Sequence, residues 1–317
     1  METRNDVPLY LYTYGSRLEE TELCYLEMRS FFDKQSDSGL LMSEIAVHPD
    51  RSPFMRERIE VLYQGEQLAD ILEQVKQIEL RDETFKVIFV KMSDLSPEDK
   101  IDFDQMRLVE REIGIYIEGE ADMRNPDRIF GLVYWGGRYY FGHYIKSKAV
   151  WLTQIQKPRS YSIALSTRVA RAAANIAVPF PSGKTAIDPC CGIGTVLVEA
   201  LSMGIDIVGR DINHFVVQGT RENLAHFGLE TSVICGDIAD VTDHYDAAIL
   251  DMPYNHFSTT TPEKQHELLI HARRIANKVI VITAETVDAF IAEAGFTIVD
   301  RCTTRKGSFV RQILVCV

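Results

Sequence analysis

The chain has 317 residues with 34 Lys and Arg against 46 Asp and Glu, a net charge of −12, and 46% of its residues are apolar. That length holds about two domains, and a balance of this kind excludes a disordered or fibrous chain. The apolar run from Pro8 to Tyr12 is too short for a secretory signal or a membrane span, so a cytoplasmic protein without a membrane partner is expected.

In chain order, Leu9 to Tyr14 reads as a strand, Leu18 to Phe32 as a helix, Leu40 to Val47 and Arg58 to Tyr63 as strands, Gln67 to Ile78 as a helix and Phe85 to Met92 as a strand. The succession β-α-β-β-α-β is that of a ferredoxin-like α+β domain. Ser96 and Pro97 then signal a helix start that leads to about Ile113. Phe130 to Tyr134 and Tyr139 to Tyr144 form a hairpin about Trp135-Gly136-Gly137-Arg138. Lys148 to Pro158 lacks periodicity and reads as a linker, which places the domains at 1–147 and 159–317, with 148–158 between them. Arg159 to Ala177 is a helix-rich lead-in, broken by the stretch Val178 to Gly183.

Beyond it the pattern changes to strands alternating with helices, which implies an α/β domain with a parallel doubly wound sheet and ligands at the carboxyl ends of its strands. Thr297 to Thr303 and Phe309 to Val317 close the chain as an antiparallel hairpin. The turn Asp188-Pro189-Cys190-Cys191-Gly192-Ile193-Gly194-Thr195 sits between a short apolar strand and a helix. Glycine there admits a ligand to the backbone N–H groups of a helix N-terminus.

Four successive strands end near an acid: Asp188, Asp211, Asp237 and Asp251. One strand-end Asp is ordinary turn chemistry; four in succession point to a ligand. Asp211, 17 residues after Gly194, is placed to accept two ribose hydroxyls, which suits either NAD or S-adenosylmethionine. Val196 and Leu197 stand where G-x-G-x-x-G needs its third glycine, so a pyrophosphate cradle is disfavoured.

Charge is unevenly spread. Residues 1–100 hold 12 basic and 21 acidic side chains, whereas Arg124 to Arg171 holds nine basic residues against Asp127 alone and is rich in aromatics. Within it, Arg124, Arg138, Lys146, Lys148, Lys157 and Arg159 are candidates for binding RNA phosphates. The six cysteines include no C-x-x-C pair; they read as reduced, and no metal site is expected.

The glycine turn, Asp211 and Cys235-Gly236-Asp237-Ile238, in that order, resemble the class I S-adenosylmethionine-dependent methyltransferases over about 157–317. The resemblance implies a Rossmann-like domain whose seven-stranded, mostly parallel sheet ends in the antiparallel hairpin. It gives Asp188, Gly192 and Gly194 to the amino-acid part of S-adenosyl-L-methionine, Asp211 to its ribose, and Asp237 with Ile238 to its adenine. Asp251-Met252-Pro253-Tyr254 resembles the D/N-P-P-Y/F motif of enzymes that methylate an amino group on a planar system. Asp251 and the Met252 carbonyl would grip the amino hydrogens, and Tyr254 would stack on the base. Met252 departs from the motif; Pro253 still biases it toward extended backbone.

The Asn125-Pro126-Asp127 turn and the hairpin ending in Phe141-Gly142 resemble the THUMP domain of RNA-modifying enzymes, over some fifty residues. Together with Lys157-Pro158, Ala170-Arg171-Ala172-Ala173-Ala174-Asn175 and Glu222-Asn223-Leu224, the chain resembles the THUMP-containing tRNA guanine-N2 methyltransferases. The activity this implies is methylation of a guanine 2-amino group in tRNA, with RNA as partner. The motif also permits another planar amino group, such as ribosomal RNA guanine, adenine or a glutamine amide. An RNA-binding protein that has lost activity stays open through Met252.

Overall fold

Apolar residues alternate along the first strands and run unbroken along the later ones, and the two patterns build two different sheets. The computed structural model describes residues 7–91, 102–161, 164–253, 261–307 and 309–317. The helix start expected at Ser96 and Pro97 lies outside the described residues.

The described elements are β1 (Tyr10–Tyr14), α1 (Thr21–Phe32), β2 (Leu40–Ser43), β3 (Met55–Gly65), α2 (Leu68–Val75), β4 (Phe85–Phe89), α3 (Phe103–Tyr116), β5 (Arg128–Trp135) and β6 (Arg138–Lys146). They continue with α4 (Thr167–Ala177), β7 (Thr185–Asp188), α5 (Thr195–Ser202), β8 (Asp206–Asp211), α6 (His214–His226), β9 (Val233–Cys235) and β10 (Tyr245–Asp251). Last come α7 (Pro262–Ile275), β11 (Ala276–Thr283), α8 (Asp288–Glu293), β12 (Ile298–Lys306) and β13 (Phe309–Cys316).

The chain divides into two compact units, one of Met1–Tyr14, Ser36–Pro49 and Met55–Ser147, the other of Gly15–Gln35, Asp50–Phe54 and Lys148–Val317. The first is built on a six-stranded sheet of order β2-β1-β3-β6-β5-β4, antiparallel except where β4 pairs with β5. Side chains two apart share a face: Phe130 and Leu132 of β5 join Phe141 of β6 in one cluster with Ile71 of α2 and Ile113 of α3. Val133 and Tyr140 belong to the opposite cluster with Leu11 and Ile59. Gly142 of the Phe141-Gly142 pair lies so close to β3 that a Cβ would fall 1.8 Å from the Glu60 carbonyl oxygen.

The β-α-β-β-α-β succession is present, but its helices part company. α2 packs in the first unit, whereas α1 groups with the second. β4 takes the far edge of the sheet beside β5, so the elements do not close as a self-contained ferredoxin-like layer.

In the second unit the sheet order is β12-β13-β11-β10-β7-β8-β9. β7 to β11 run parallel, and β13 pairs antiparallel with β11 and β12. Ala247 to Leu250 and Val279 to Ile282 are at most 1% exposed, as expected of parallel strands covered on both faces. Lys148 to Pro158, expected as a linker, instead contains the 3-10 turn Val150–Gln154 with Trp151 buried. Its ring lies 5.1 Å from the Arg168 guanidinium of α4. A turn of five residues is too short to show periodicity, which is why it was invisible in the sequence.

Candidate active site

The sheet order reverses between β7 and β10, because β8 and β9 continue to one side of β7 and β11 to the other. Ligands of open α/β sheets bind at such a switch point, beyond the carboxyl ends of the strands. Asp188, Asp211 and Asp251 are the last residues of β7, β8 and β10, and Asp237 follows β9.

These acids are anchored by backbone N–H groups. Asp188 accepts from Cys190 at 3.3 Å. Asp211 accepts from Gly192 at 2.9 Å through one oxygen and from Asn213 at 2.9 Å through the other. Asp237 caps the 3-10 turn Ile238–Asp240 by accepting from Ala239 at 2.9 Å. Each such carboxylate oxygen has a second lone pair, so the turn chemistry leaves capacity for a ligand.

Gly192 and Gly194 adopt φ of 55° and 77°, a region closed to most side chains. A Cβ on Gly194 would come within 2.6 Å of Thr220, whereas one on Gly192 would meet nothing within 4 Å. The first glycine therefore allows α6 to pack, and the second opens space over the loop. Asn223, fully buried on α6, ties the region together: its amide accepts from the Arg159 N–H at 2.9 Å and donates to the Arg159 and Ile193 carbonyls at 3.0 and 2.9 Å.

Burial pushes the Asp188 carboxyl well above the usual carboxylate range, and the charges of Asp251 and Asp211 push the same way against the Cys190 N–H. Burial and the same acids, with Asp237, raise the Cys190 thiol. The acids at these strand ends thus repel one another, an arrangement that favours a cationic ligand. Ile212 and Phe215, beside Asp211, are 72% and 82% exposed. An apolar residue directly after a strand-end acid is the sequence signal that marks Ile212; Phe215, four residues beyond the acid, carries no such signal. Ile238, in contrast, has its side chain in the core with Leu269 and Val241, so only its backbone can meet a ligand.

In the Asp251 tetrapeptide, Met252 is 1% exposed, packs in the same core, and donates its N–H to the Ile282 carbonyl at 2.8 Å. Asp251 and Pro253 are half-buried. Tyr254 lies outside the described residues. Among the described residues, no group of acids, histidines and cysteines is arranged to hold a metal, and no helix is long and apolar enough to cross a membrane.

The six basic candidates divide between the units. Arg124, Arg138 and Lys146 are exposed in the first, where Arg138 reaches Glu66 at 3.1 Å. Lys148, Lys157 and Arg159 belong to the second. Arg159 pairs with Glu222 at 2.5 Å. Lys157 donates to Thr167 at 3.3 Å, and burial lowers its pKa despite the Glu199 charge.

A sheet of this order, with a glycine turn after its first parallel strand and acids at the neighbouring strand ends, defines the class as a Rossmann-like, doubly wound α/β domain. Residues 156–297, rather less than half of the chain, match the RMKL-like methyltransferase domain family. The chain is 37% identical over 116 residues to the tRNA (guanine(10)-N2)-dimethyltransferase of Methanothermobacter thermautotrophicus, covering 36% of this chain and 34% of the relative. It is 28% identical over 278 residues to the enzyme of the same name from Pyrococcus abyssi, covering 78% and 79%. Human U6 snRNA (guanine-N(2))-methyltransferase THUMPD2 is 32% identical over 97 residues, 28% of this chain and 19% of that protein.

Proposed function

We propose that the chain methylates the exocyclic 2-amino group of a guanine in tRNA, with S-adenosyl-L-methionine as methyl donor. The observation that carries the reading is the position of Asp251 and Met252 at the end of β10, beside the switch point and next to Asp188 and Asp211. The relatives support the substrate class, since three are named for guanine-N2 methylation of tRNA or U6 snRNA.

The residues present fit the donor. The open space over Gly192 suits a ligand lying against the loop, Asp211 has lone pairs for two ribose hydroxyls, and the exposed Ile212 offers an apolar surface for the adenine. Asp237 would accept from the adenine amino group. When bound, the donor supplies a methyl group on a positively charged sulfur, and the acids at the strand ends complement that charge.

A guanine 2-amino group has its lone pair delocalised into the ring and is a poor nucleophile. The Asp251 carboxylate and the Met252 carbonyl accept its two hydrogens, which turns the lone pair out of the ring plane, and Asp251 takes the proton as the new N–C bond forms. Alignment, rather than a strong base or a metal, supplies most of the rate. Because the Met252 N–H is fixed to Ile282 and its side chain is locked in the core, the adjoining carbonyl is held in place. The proline missing from the motif is replaced by a ladder hydrogen bond that proline could not make.

Asp251→Ala is expected to lower methyl transfer to tRNA by about 10²- to 10⁴-fold while S-adenosylhomocysteine affinity, read by calorimetry, stays near that of the parent. Retained transfer would remove Asp251 from its role.

A further inference from the structure

Within the second unit a groove of about 700 Å³ opens beside the glycine turn, with Ile193 and Thr195 in its wall. Its other walls come from the N-terminal segment at Arg17, the stretch before α4, and the end of the β12–β13 hairpin. In a chain of net charge −12, six cations line it: Arg17, Lys157, Arg168, Arg305, Lys306 and Arg311. Among the described residues that line it, the acids are Glu19 and Glu20.

The cations are of two kinds. Arg168 is fixed by its pair with Glu20 and its contact with Trp151, and Arg311 lies 4.6 Å from the Phe309 ring. Both are wall. Arg17, Arg305 and Lys306 are exposed, on two segments far apart in sequence that the fold brings to one opening. The first turn of α4 also lines the groove through Thr167, adding the positive end of a helix dipole. Tyr161, 53% exposed, offers a ring on the same wall. Spaced cations with an exposed aromatic form the pattern that binds single-stranded nucleic acid, by phosphate contacts and base stacking.

We propose that this groove holds the RNA strand next to the target nucleotide, with Arg17, Arg305 and Lys306 on its phosphates and Tyr161 against a base. The inference rests on the RNA methyltransferase reading above and adds to it that the methyltransferase unit grips RNA itself, with the terminal hairpin as a clamp. A lone small anion would not need a groove of this volume, and an acidic peptide would not use the aromatic wall.

The test is fluorescence polarisation of a labelled, unmodified tRNA transcript over a salt series, with S-adenosylhomocysteine calorimetry as the check on the fold. Arg305→Ala with Lys306→Ala should raise the RNA Kd by roughly tenfold at low salt and make the salt slope shallower by about 1.4 to 1.8, the loss of two phosphate contacts. Cofactor affinity should not change. Lys306→Gln alone, at the exposed hairpin end, should lower the slope by about 0.8. If the parent binds tRNA and both variants match its Kd and slope, the groove proposal is overturned while the substrate reading stands. A parent that binds polyglutamate in preference to tRNA overturns the ligand class. A parent with no affinity for tRNA overturns both readings.

Discussion

Met252 stands where the related tetrapeptide has proline, and in the sequence it raises the question of whether the site still works. Its N–H bond to Ile282 and its buried side chain answer with a backbone tied into the sheet. The strand-end positions of Asp188, Asp211 and Asp251 and the turn at Gly192 are legible in the sequence, because strand ends and glycine turns have local signatures. The bridging role of Asn223 is not legible, since an amide that joins Arg159 to Ile193 is a three-body contact made only by the fold. The residue with the most consequential environment is Asp188. Its carboxyl is raised by burial and by its acidic neighbours, which favours the protonated form relative to an ordinary aspartate. A cationic ligand favours the charged form and lowers that pKa again. Binding of S-adenosylmethionine is therefore expected to release protons and to tighten as pH rises toward and through the raised pKa of the ligand-free protein. Calorimetry in buffers of different ionisation enthalpy measures this directly; proton uptake, or no exchange, would contradict it.

At the scale of elements, α1 shows how a helix can be read correctly and its partner missed. Periodicity identified the helix and its apolar side, but not that Glu27 on it is fully buried. Glu27 accepts from Asn175 at 2.7 Å and from Ser52, while Asn175 accepts from Arg51 at 2.9 Å. On the same face of α4, Arg171 donates to Glu199 at 2.8 Å, to Ser202 at 3.0 Å and to the Asp50 and Arg51 carbonyls at 2.6 and 3.0 Å. The Arg171 and Asn175 positions quoted for the family resemblance thus act as a clamp that fastens α1 and the 50–54 segment to the methyltransferase sheet. Arg171→Leu is expected to cost about 3–5 kcal/mol in urea unfolding, because it leaves Glu199 buried without its partner. Removing both charges, as Arg171→Met with Glu199→Met, is expected to cost less than the single change. A loss in the double variant equal to the sum of the Arg171→Met and Glu199→Met losses would mean that the pair is not coupled.

The chain is acidic as a whole, and its second unit carries a groove lined by six cations. Net charge alone argued against a nucleic-acid partner, and the excess in Arg124 to Arg171 argued for one. The fold redistributes both signals: Arg159 is taken up by Glu222, whereas Arg17, Arg305 and Lys306, which no sequence window groups, come together. Two-domain organisation and the parallel sheet were legible from the change of hydrophobic period. The grouping of Gly15–Gln35 with the second unit was not, because it depends on long-range packing of a segment whose local pattern fits either unit. The central claim is methyl transfer to a guanine 2-amino group of tRNA, and nucleoside mass spectrometry tests it most directly, using purified protein, an unmodified tRNA transcript and methyl-labelled S-adenosylmethionine. The expected product is labelled N2-methylguanosine or its dimethyl form, absent with Asp251→Ala; label on adenosine, or no labelled nucleoside at all, would contradict the account.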